Sequence, residues 1–312
     1  MKIIYMGTPE FSVKPLQALY DAGYEIVALV CQPDKVNSRG NKIEYCPTKK
    51  WALEKLVPIF QFESLKNDNI DNLLNIEADV IITCAYGKIL PQKVLDMSRY
   101  GVLNIHSSLL PKYRGASPIS ACLLDGGKIT GITIMQTSLG MDDGDILYQE
   151  QIPILEDDNS ITLSNKLSVL GAKCIEKVLS NLNLYRKNAI KQNEKEASFS
   201  KKITKQDAKI NFNFNSEIVI SKIKAYALNP TAYFMYKDKR YKVYNAHLSN
   251  FEVLGSNRCG EVLACDKING LVISCANCSA IAIDQIQAPN GKVLKIKDFI
   301  NGNKFAIGEV CE

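Results

Sequence analysis

Four short apolar runs constrain the fold of the first half of this chain more than any other feature. They lie at Lys2–Met6, Glu25–Val30, Ala78–Thr83 and Val102–Ile105. Each has the length and apolar character of a buried strand, and segments of helical periodicity, such as Ser64–Asn75, lie between them. Strands that alternate with helices are typical of an α/β domain, so the sequence predicts an open, mostly parallel sheet.

Polar residues begin where the run at Val102–Ile105 ends. Asn104 and His106 are two positions apart and therefore point to the same face of the predicted strand. Open α/β sheets bind ligands beyond the carboxyl ends of their strands, and the acidic loop Asp142–Asp145 follows a later predicted strand at Ile129–Met135. A carboxamide, an imidazole and a carboxylate in one crevice could hold a tetrahedral oxyanion and move a proton, as acyl transfer requires.

Three other kinds of site are disfavoured. The turn Gly7–Glu10 lacks the second and third glycines of a dinucleotide fingerprint, so it is interpreted as a tight β-to-α turn. A Ser-His-Asp hydrolase would need a nucleophile elbow, but no G-x-S-x-G occurs and Ser107 should point away from His106. The cysteines between Cys259 and Cys278 do not have a usual zinc spacing, and no metal site is predicted.

Length and composition indicate two domains. The chain has 312 residues, of which 46% are hydrophobic, and single cores seldom grow past roughly 250 to 300 residues. We find no tripartite signal peptide at the start and no apolar span near the roughly 20 residues that cross a bilayer, so we expect a cytoplasmic protein without a membrane partner. Most of the ten cysteines lie in apolar runs and are expected to be buried free thiols.

The positive charge is concentrated in the middle of the chain. The formal net charge is only +5, but residues 186 to 242 contain fourteen basic and five acidic side chains, a local net charge of +9. A second basic stretch, Lys35–Lys42, is polar and without periodicity, and we expect it to be an exposed loop near the predicted site. Two basic segments of this kind favour a polyanionic partner.

The texture of the chain changes after Asp207 to short alternating segments separated by turns. Five or six strands in about a hundred residues predict a small antiparallel β-barrel. The predicted strands are Ile210–Phe214, Thr231–Tyr236, Lys242–Ala246, Gly260–Ala264, Leu271–Cys275 and Ala280–Ile283. Barrels of this size often carry nucleic acid.

The stretch Asn104–Pro111, together with Asp145, resembles the signature of 10-formyltetrahydrofolate-dependent formyltransferases. The Asn/His/Asp set alone is also found in formyltransferases that act on small amines and in formyltetrahydrofolate hydrolase. Three further stretches make the whole chain similar to the methionyl-tRNA formyltransferases: Gly7–Phe11, Gln32–Asp34 before Arg39–Gly40, and Lys202–Ile210.

The resemblance implies a Rossmann-like catalytic domain at residues 1–185, a basic linker at 186–205 and a C-terminal OB-like β-barrel domain at 206–312 that binds tRNA. It implies formyl transfer from 10-formyltetrahydrofolate, a co-substrate and not a tightly bound cofactor, to the α-amine of methionyl-initiator-tRNA. Asn104, His106 and Asp145 would be catalytic. Arg39 and Lys42 would contact the tRNA.

The resemblance also implies where the folate binds. The expected folate site consists of the loop after His106 and the turn that ends the strand at Ala78–Thr83, namely Ser108, Leu109, Leu110, Pro111, Tyr86 and Gly87. No obligate protein partner is expected. Two alternatives remain at this point: a formyltransferase of small amines, which would not need the +9 region, and an RNA-binding protein without catalytic activity.

Overall fold

The computed structural model describes residues 1–36 and 43–312, and within them the chain forms two compact units. Unit 1 contains residues 1–118, 129–153 and 164–200, and unit 2 contains residues 119–128, 154–163 and 201–312. The segment 186–205, predicted as a basic linker, is therefore divided between the two units at Ser200. Within the described residues, no helix combines the length and the apolar character needed to cross a bilayer.

Unit 1 has the predicted α/β architecture. Its strands are β1 (Lys2–Gly7), β2 (Glu25–Cys31), β3 (Lys35–Val36), β4 (Ile43–Glu44), β5 (Ile59–Gln61), β6 (Val80–Cys84), β7 (Val102–His106), β8 (Arg114–Gly115), β9 (Ile129–Gln136), β10 (Ile146–Pro153) and β11 (Phe199–Ser200). The order of the main sheet is β10-β9-β7-β6-β1-β2-β5. The five strands from β7 to β5 are parallel, whereas β9 and β10 extend the sheet with antiparallel pairs.

Helices lie between the strands of the first 200 residues, as an α/β domain requires. They are α1 (Val13–Asp21), preceded by a 3-10 turn at Glu10–Ser12, α2 (Pro47–Glu54), α3 (Asp71–Leu74), α4 (Gln92–Leu95), α5 (Pro118–Leu124), α6 (Ser160–Ser180), α7 (Leu182–Lys187) and a 3-10 turn at Glu194–Glu196. The helix predicted over Ser64–Asn75 is wrong in extent, because only the four residues of α3 are α-helical. Asn159 caps α6 by accepting hydrogen bonds from the backbone N–H groups of Ile161 and Thr162.

The apolar runs are buried because the sheet of unit 1 is covered on both faces. Every residue of β6 is buried, and Ile3 to Met6 of β1 have no exposed surface. One core cluster contains side chains of β1, β2 and β6 together with residues of the following turns. This burial fixes the register of β1, β6 and β7 and therefore the edge of the sheet at which the polar residues beyond them lie.

Unit 2 contains the curled antiparallel sheet of an OB-like domain. Its strands are β12 (Tyr233–Tyr236), β13 (Lys239–Leu248), β14 (Val262–Asp266), β15 (Gly270–Cys275), β16 (Ser279–Gln287) and β17 (Val293–Lys295), and its helices in this region are α8 (Ser216–Ala225) and α9 (Ile296–Phe299). The order is β12-β13-β16-β15-β14, and β17 pairs with β16. The strand predicted at Ile210–Phe214 is wrong: this segment forms turns, with a single bridge between Lys209 and Tyr233.

Candidate active site

The strands β1, β6 and β7 bring their carboxyl ends to one edge of the sheet. Thr83 of β6 lies in register with Asn104 of β7, and its Oγ1 donates a hydrogen bond of 3.0 Å to Asn104 Oδ1. Since the amide oxygen of Asn104 is occupied in this way, its Nδ2 group faces Asp142 and donates to Oδ1 at 3.3 Å. One amide hydrogen of Asn104 therefore remains available for a ligand.

His106 is buried, with 6% of its surface exposed, and both ring nitrogens have a neighbour. Nε2 lies 3.1 Å from the carbonyl oxygen of Tyr113, and Nδ1 lies 3.6 Å from Asp142 Oδ2. A carbonyl oxygen can only accept, so Nε2 carries a proton and, in the neutral ring, Nδ1 carries the lone pair. We assign this tautomer to the neutral ring from the hydrogen bond to Tyr113, and Nδ1 is then the proton acceptor.

Burial lowers the pKa of His106 below its ordinary value, although the nearby Asp142 carboxylate and the Tyr113 carbonyl oppose that shift. The imidazole is consequently neutral at neutral pH. A neutral ring whose free nitrogen faces a carboxylate can take up a proton, and the carboxylate then stabilises the imidazolium that forms.

Asp142, and not the predicted Asp145, supplies the carboxylate beside His106. Its backbone is left-handed (φ 49°), which turns the side chain toward β7, and Oδ2 also accepts a 2.8 Å hydrogen bond from the N–H of Gly115. Asp145 lies directly before β10, and its carbonyl oxygen accepts from the backbone N–H of Gln136. The placement of Asp145 near His106 is therefore corrected by the structure.

The loop that carries Asp142 reaches His106 by an unexpected path. Because β9 is antiparallel to β7, its last residue, Gln136, pairs with Leu103 near the start of β7. The backbone N–H of Thr137 donates to the carbonyl of Val102, and the chain then returns along the sheet to the level of His106. Residues 137–142 thus cover the side chains of β7.

A cavity of about 550 Å³ opens beside Asn104, His106 and Asp142. Its other walls are the turn after β6, the loop after β9 and single residues of neighbouring turns: Phe11, Thr83, Ala85, Tyr86, Gly87, Lys88, Ile89, Leu90, Ile105, Ser107, Gly115, Ala116, Pro118, Thr137, Ser138, Leu139, Gly140 and Met141. The predicted ligand contacts Tyr86 and Gly87 are therefore at the cavity. Its volume is in the ordinary range of small-molecule sites, which is roughly 300 to 1,000 Å³.

The predicted contacts Ser108, Leu109, Leu110 and Pro111 do not line this cavity. Ser108 is fully buried, and its Oγ donates to the carbonyl of Lys112 at 2.6 Å. Leu110 packs in a small apolar cluster with Met135 and Ile146. Ser108 and Leu110 therefore also stabilise this loop, and the ligand contacts predicted at Ser108–Pro111 stay a prediction.

The lining suits a partly apolar ligand that also forms hydrogen bonds. The hydroxyls of Tyr86 and Thr137 are buried and have no hydrogen-bond partner among the residues that the structure describes. Leu139 and Met141 are 65% and 62% exposed, although they are large apolar residues. Exposed apolar side chains and unpartnered hydroxyls in one cavity are typical of a ligand-binding site.

Sequence reasoning missed Ile89, Leu90, Leu139 and Met141 as members of the site. The available signal was two short loops, Lys88–Leu90 and Leu139–Met141, in which apolar residues stand beside glycines and polar residues. Ile89, Leu139 and Met141 are exposed, and exposed apolar side chains in loops indicate contact with a ligand or a partner. Leu90 is 8% exposed and also packs in the core of unit 1.

The zinc alternative has no support in the structure. No disulfide joins any of the ten cysteines, and within residues 1–36 and 43–312 no group of three or more His, Cys, Asp and Glu side chains could hold a metal ion. The expected burial of Cys31, Cys84, Cys122 and Cys174 is confirmed. Arg39 and Lys42, predicted to contact tRNA, lie outside the described residues.

Known proteins similar to this chain show its family. Residues 1–179 match the model of the formyl transferase family, and residues 202–304 match that of the formyl transferase C-terminal domain. The chain is 34% identical to the methionyl-tRNA formyltransferase of Sulfurihydrogenibium sp. (strain YO3AOP1) over 316 residues, covering 100% of each chain.

Two solved structures share the fold. A sugar 3N-formyl transferase, WlaRD, solved with dTDP and 5-N-formyl-THF, has a TM-score of 0.66 at 22% identity and covers 94% of this chain and 99% of its own. The methionyl-tRNA formyltransferase from Clostridium thermocellum has a TM-score of 0.56 at 18% identity, covering 81% and 96%. From the family matches and the full-length relative, the chain belongs to the formyl transferase family, among its methionyl-tRNA formyltransferases.

Proposed function

We propose that this chain transfers a formyl group from 10-formyltetrahydrofolate to the α-amino group of methionyl-initiator-tRNA and produces N-formylmethionyl-tRNA for translation initiation. The observation that carries the proposal is the convergence of Asn104, His106 and Asp142 on one side of the 550 Å³ cavity. These groups suit an acyl transfer, because one can donate to an oxyanion and another can accept a proton.

The proposed reaction begins with attack of the α-amine on the formyl carbon. The carbonyl oxygen becomes an oxyanion, and the free amide hydrogen of Asn104 stabilises it. His106 Nδ1 takes the proton that the amine loses, while Asp142, 3.6 Å away, stabilises the imidazolium. The C–N bond to folate N10 then breaks, and the same proton passes to N10. Tetrahydrofolate leaves, and His106 returns to its neutral form.

The folate occupies the cavity in this proposal. Tyr86 to Leu90 form one wall and Thr137 to Asp142 the other, so the flat ring system of the folate would lie between apolar side chains. The unpartnered hydroxyls of Tyr86 and Thr137 suit the heteroatoms of such a ring system. The formyl group would then point toward Asn104 and His106.

We propose the tRNA contacts from the two segments in which the positive charge of the chain is concentrated. Arg39 and Lys42 belong to the basic stretch between β3 and β4, and residues 186 to 242 have a net charge of +9. Lysine and arginine neutralise phosphates and release counterions, so binding should weaken as salt rises. We expect Arg39→Ala to weaken tRNA use and to reduce the slope of log K against log [salt] by about 1. An unchanged slope would remove Arg39 from the interface.

One assay tests the proposed function. Purified protein, 10-formyltetrahydrofolate and methionyl-initiator-tRNA should yield N-formylmethionyl-tRNA, and free methionine in place of the charged tRNA should yield far less product. Equal use of a small amine would favour the small-molecule formyltransferase. Binding of tRNA without any folate-dependent product would favour an RNA-binding protein. We further propose that the reaction takes place in the cytoplasm and needs no second protein.

A further inference from the structure

The segment Gln192–Ser200, here called the clamp segment, lies against the loop that carries Asp142. The side-chain amide of Gln192 donates to two backbone carbonyls of that loop, to Asp142 O at 2.8 Å and to Gly144 O at 2.7 Å. These bonds hold the backbone on both sides of Asp143. They therefore fix the direction in which the Asp142 side chain leaves the loop.

A buried arginine fixes the orientation of that amide. Arg114 Nε donates to Gln192 Oε1 at 3.0 Å, and its two terminal nitrogens donate to the carboxylate of Glu194 at 2.9 and 2.8 Å. Arg114 is only 2% exposed. A guanidinium has no acceptor, so the oxygen of the Gln192 amide must face Arg114 and its NH2 group must face the two carbonyls.

The rest of the clamp segment holds the second neighbour of His106. Ser198 Oγ accepts from the N–H of Tyr113 at 2.9 Å, and the carbonyl of Tyr113 is the partner of His106 Nε2. Phe199 and Ser200 pair with β8, which contains Gly115, the residue whose N–H binds Asp142 Oδ2. Both groups that contact the imidazole are thus held by the same nine residues.

Gly115 shows how close this packing is. Its φ is +109°, and a Cβ at this position would overlap the backbone oxygen of Ser200. Only glycine combines that backbone conformation with such close approach of a second chain segment. The residue whose N–H binds Asp142 Oδ2 must therefore be glycine where Ser200 passes beside it.

We propose that Gln192 is a positioning residue for formyl transfer, which acts through the backbone of the 142–144 loop to keep the Asp142 carboxylate beside His106 Nδ1. Gln192 does not line the cavity and has no substrate contact in this role. Asp142 is a non-glycine residue in a left-handed conformation, which persists only where its surroundings hold it. This inference rests on the proposed function, and it assigns part of the region predicted as a basic linker to the catalytic unit.

Two substitutions separate the donor function of Gln192 from its shape. Gln192→Glu keeps the length and can still accept from Arg114, but it cannot donate to the carbonyls of Asp142 and Gly144. Gln192→Met keeps the length and loses both functions. We expect kcat to fall by about tenfold or more in each, because small displacements of a catalytic group reduce rates strongly. The KM values for 10-formyltetrahydrofolate and for tRNA should change less than about twofold.

The matched control is Gln151→Glu, which makes the same change on an exposed position of β10. It should leave kcat and both KM values unchanged. A packing role alone predicts that Gln192→Met resembles the wild type and that any loss follows the melting temperature. Equal kcat values for wild type and Gln192→Glu would overturn the proposal.

A pH profile gives a readout that a purely structural role would not move. Asp142 opposes the lowering of the His106 pKa, so a displaced Asp142 should let that pKa fall further. In Gln192→Met the acid limb of the kcat profile should therefore lie at lower pH than in the wild type, and an unshifted limb would count against the proposal.

Ser198→Ala is the test to use if the Gln192 variants do not fold, because it removes only the acceptor for the Tyr113 N–H. We expect it to lower kcat without a change in KM. A normal kcat in Ser198→Ala would contradict the role of the clamp segment. Wild-type protein without any formylation would instead contradict the proposed function.

Discussion

The loops that follow β7 and β9 contain similar residues and use them in opposite ways. After β7, Leu110 is 3% exposed, and the polar groups of the loop bond to one another and to Thr133. After β9, Leu139 is 65% exposed and Thr137 has a hydroxyl without a partner among the described residues. These groups of the loop after β7 have partners within the protein, whereas the loop after β9 has apolar surface and a hydroxyl available for a ligand. Leucine therefore serves packing in one loop and is exposed in the other.

The largest expected effect tests whether β7 supplies the proton acceptor of the reaction. We expect His106→Ala to lower kcat by on the order of a hundredfold or more, because the proton acceptor is lost. Affinity for tRNA, measured by filter binding, should change less than about twofold. A collapse of tRNA affinity with little loss of kcat would instead indicate that His106 binds tRNA and does not accept the proton.

The next effect compares two carboxylates of the loop after β9. Asp142→Asn should lower kcat by at least about tenfold, since it removes the charge that stabilises the imidazolium. Asp145→Asn is the matched control, and we expect a change of less than about threefold, because Asp142 is the carboxylate that contacts His106. Single-turnover formylation measures both. The opposite ranking would restore Asp145 as the partner of His106.

Replacing one leucine in each loop should change two different quantities, the KM in one loop and the free energy of unfolding in the other. Leu139→Ala should raise the KM for 10-formyltetrahydrofolate by about five- to tenfold through lost apolar contact, with little effect on stability because the residue is exposed. Leu110→Ala should lower the free energy of unfolding by about 2 to 5 kcal/mol, as expected for a buried leucine, and leave the KM of the folded enzyme unchanged. Urea denaturation and steady-state kinetics measure the two quantities.

The smallest effect concerns pH. Burial lowers the pKa of His106 in the folded chain below its unfolded value of about 6.5. As the pH falls through the unfolded-state pKa of about 6.5, the unfolded state binds a proton before the folded state does. The free energy of unfolding therefore decreases with falling pH. The free energy of unfolding should therefore decrease less between pH 7 and pH 5 in His106→Gln than in the wild type. Equal decreases would indicate that the imidazole is not buried in solution.

Much of the fold was predictable because burial leaves a direct trace in the sequence. Continuous apolar runs predict the strands β1, β2, β6 and β7, and short alternating segments predict the antiparallel sheet of unit 2. The sequence does not predict the helix α8, and it wrongly predicts a strand at Ile210–Phe214, because alternation over five residues does not distinguish a strand from consecutive turns. The apolar character of a short segment shows that it is buried, but not its backbone conformation.

The site was only half predictable for a related reason. Asn104 and His106 follow from the two-residue period of a strand, which is a local rule. The choice between Asp142 and Asp145 depends on a left-handed backbone at one residue and on the antiparallel direction of β9, and neither property has a local signal. The contacts of Gln192 span about fifty residues and could not be read from any periodicity.

The hydrogen bond between His106 Nε2 and the Tyr113 carbonyl has a kinetic consequence. Because Nε2 is hydrogen-bonded to the backbone, Nδ1 alone must accept the proton and later donate it. The acceptor of that proton, the departing folate nitrogen, must then already be within reach when the amine arrives, so donor and acceptor substrates have to be bound together. Double-reciprocal plots should consequently intersect, and no formylated enzyme should accumulate when folate alone is supplied.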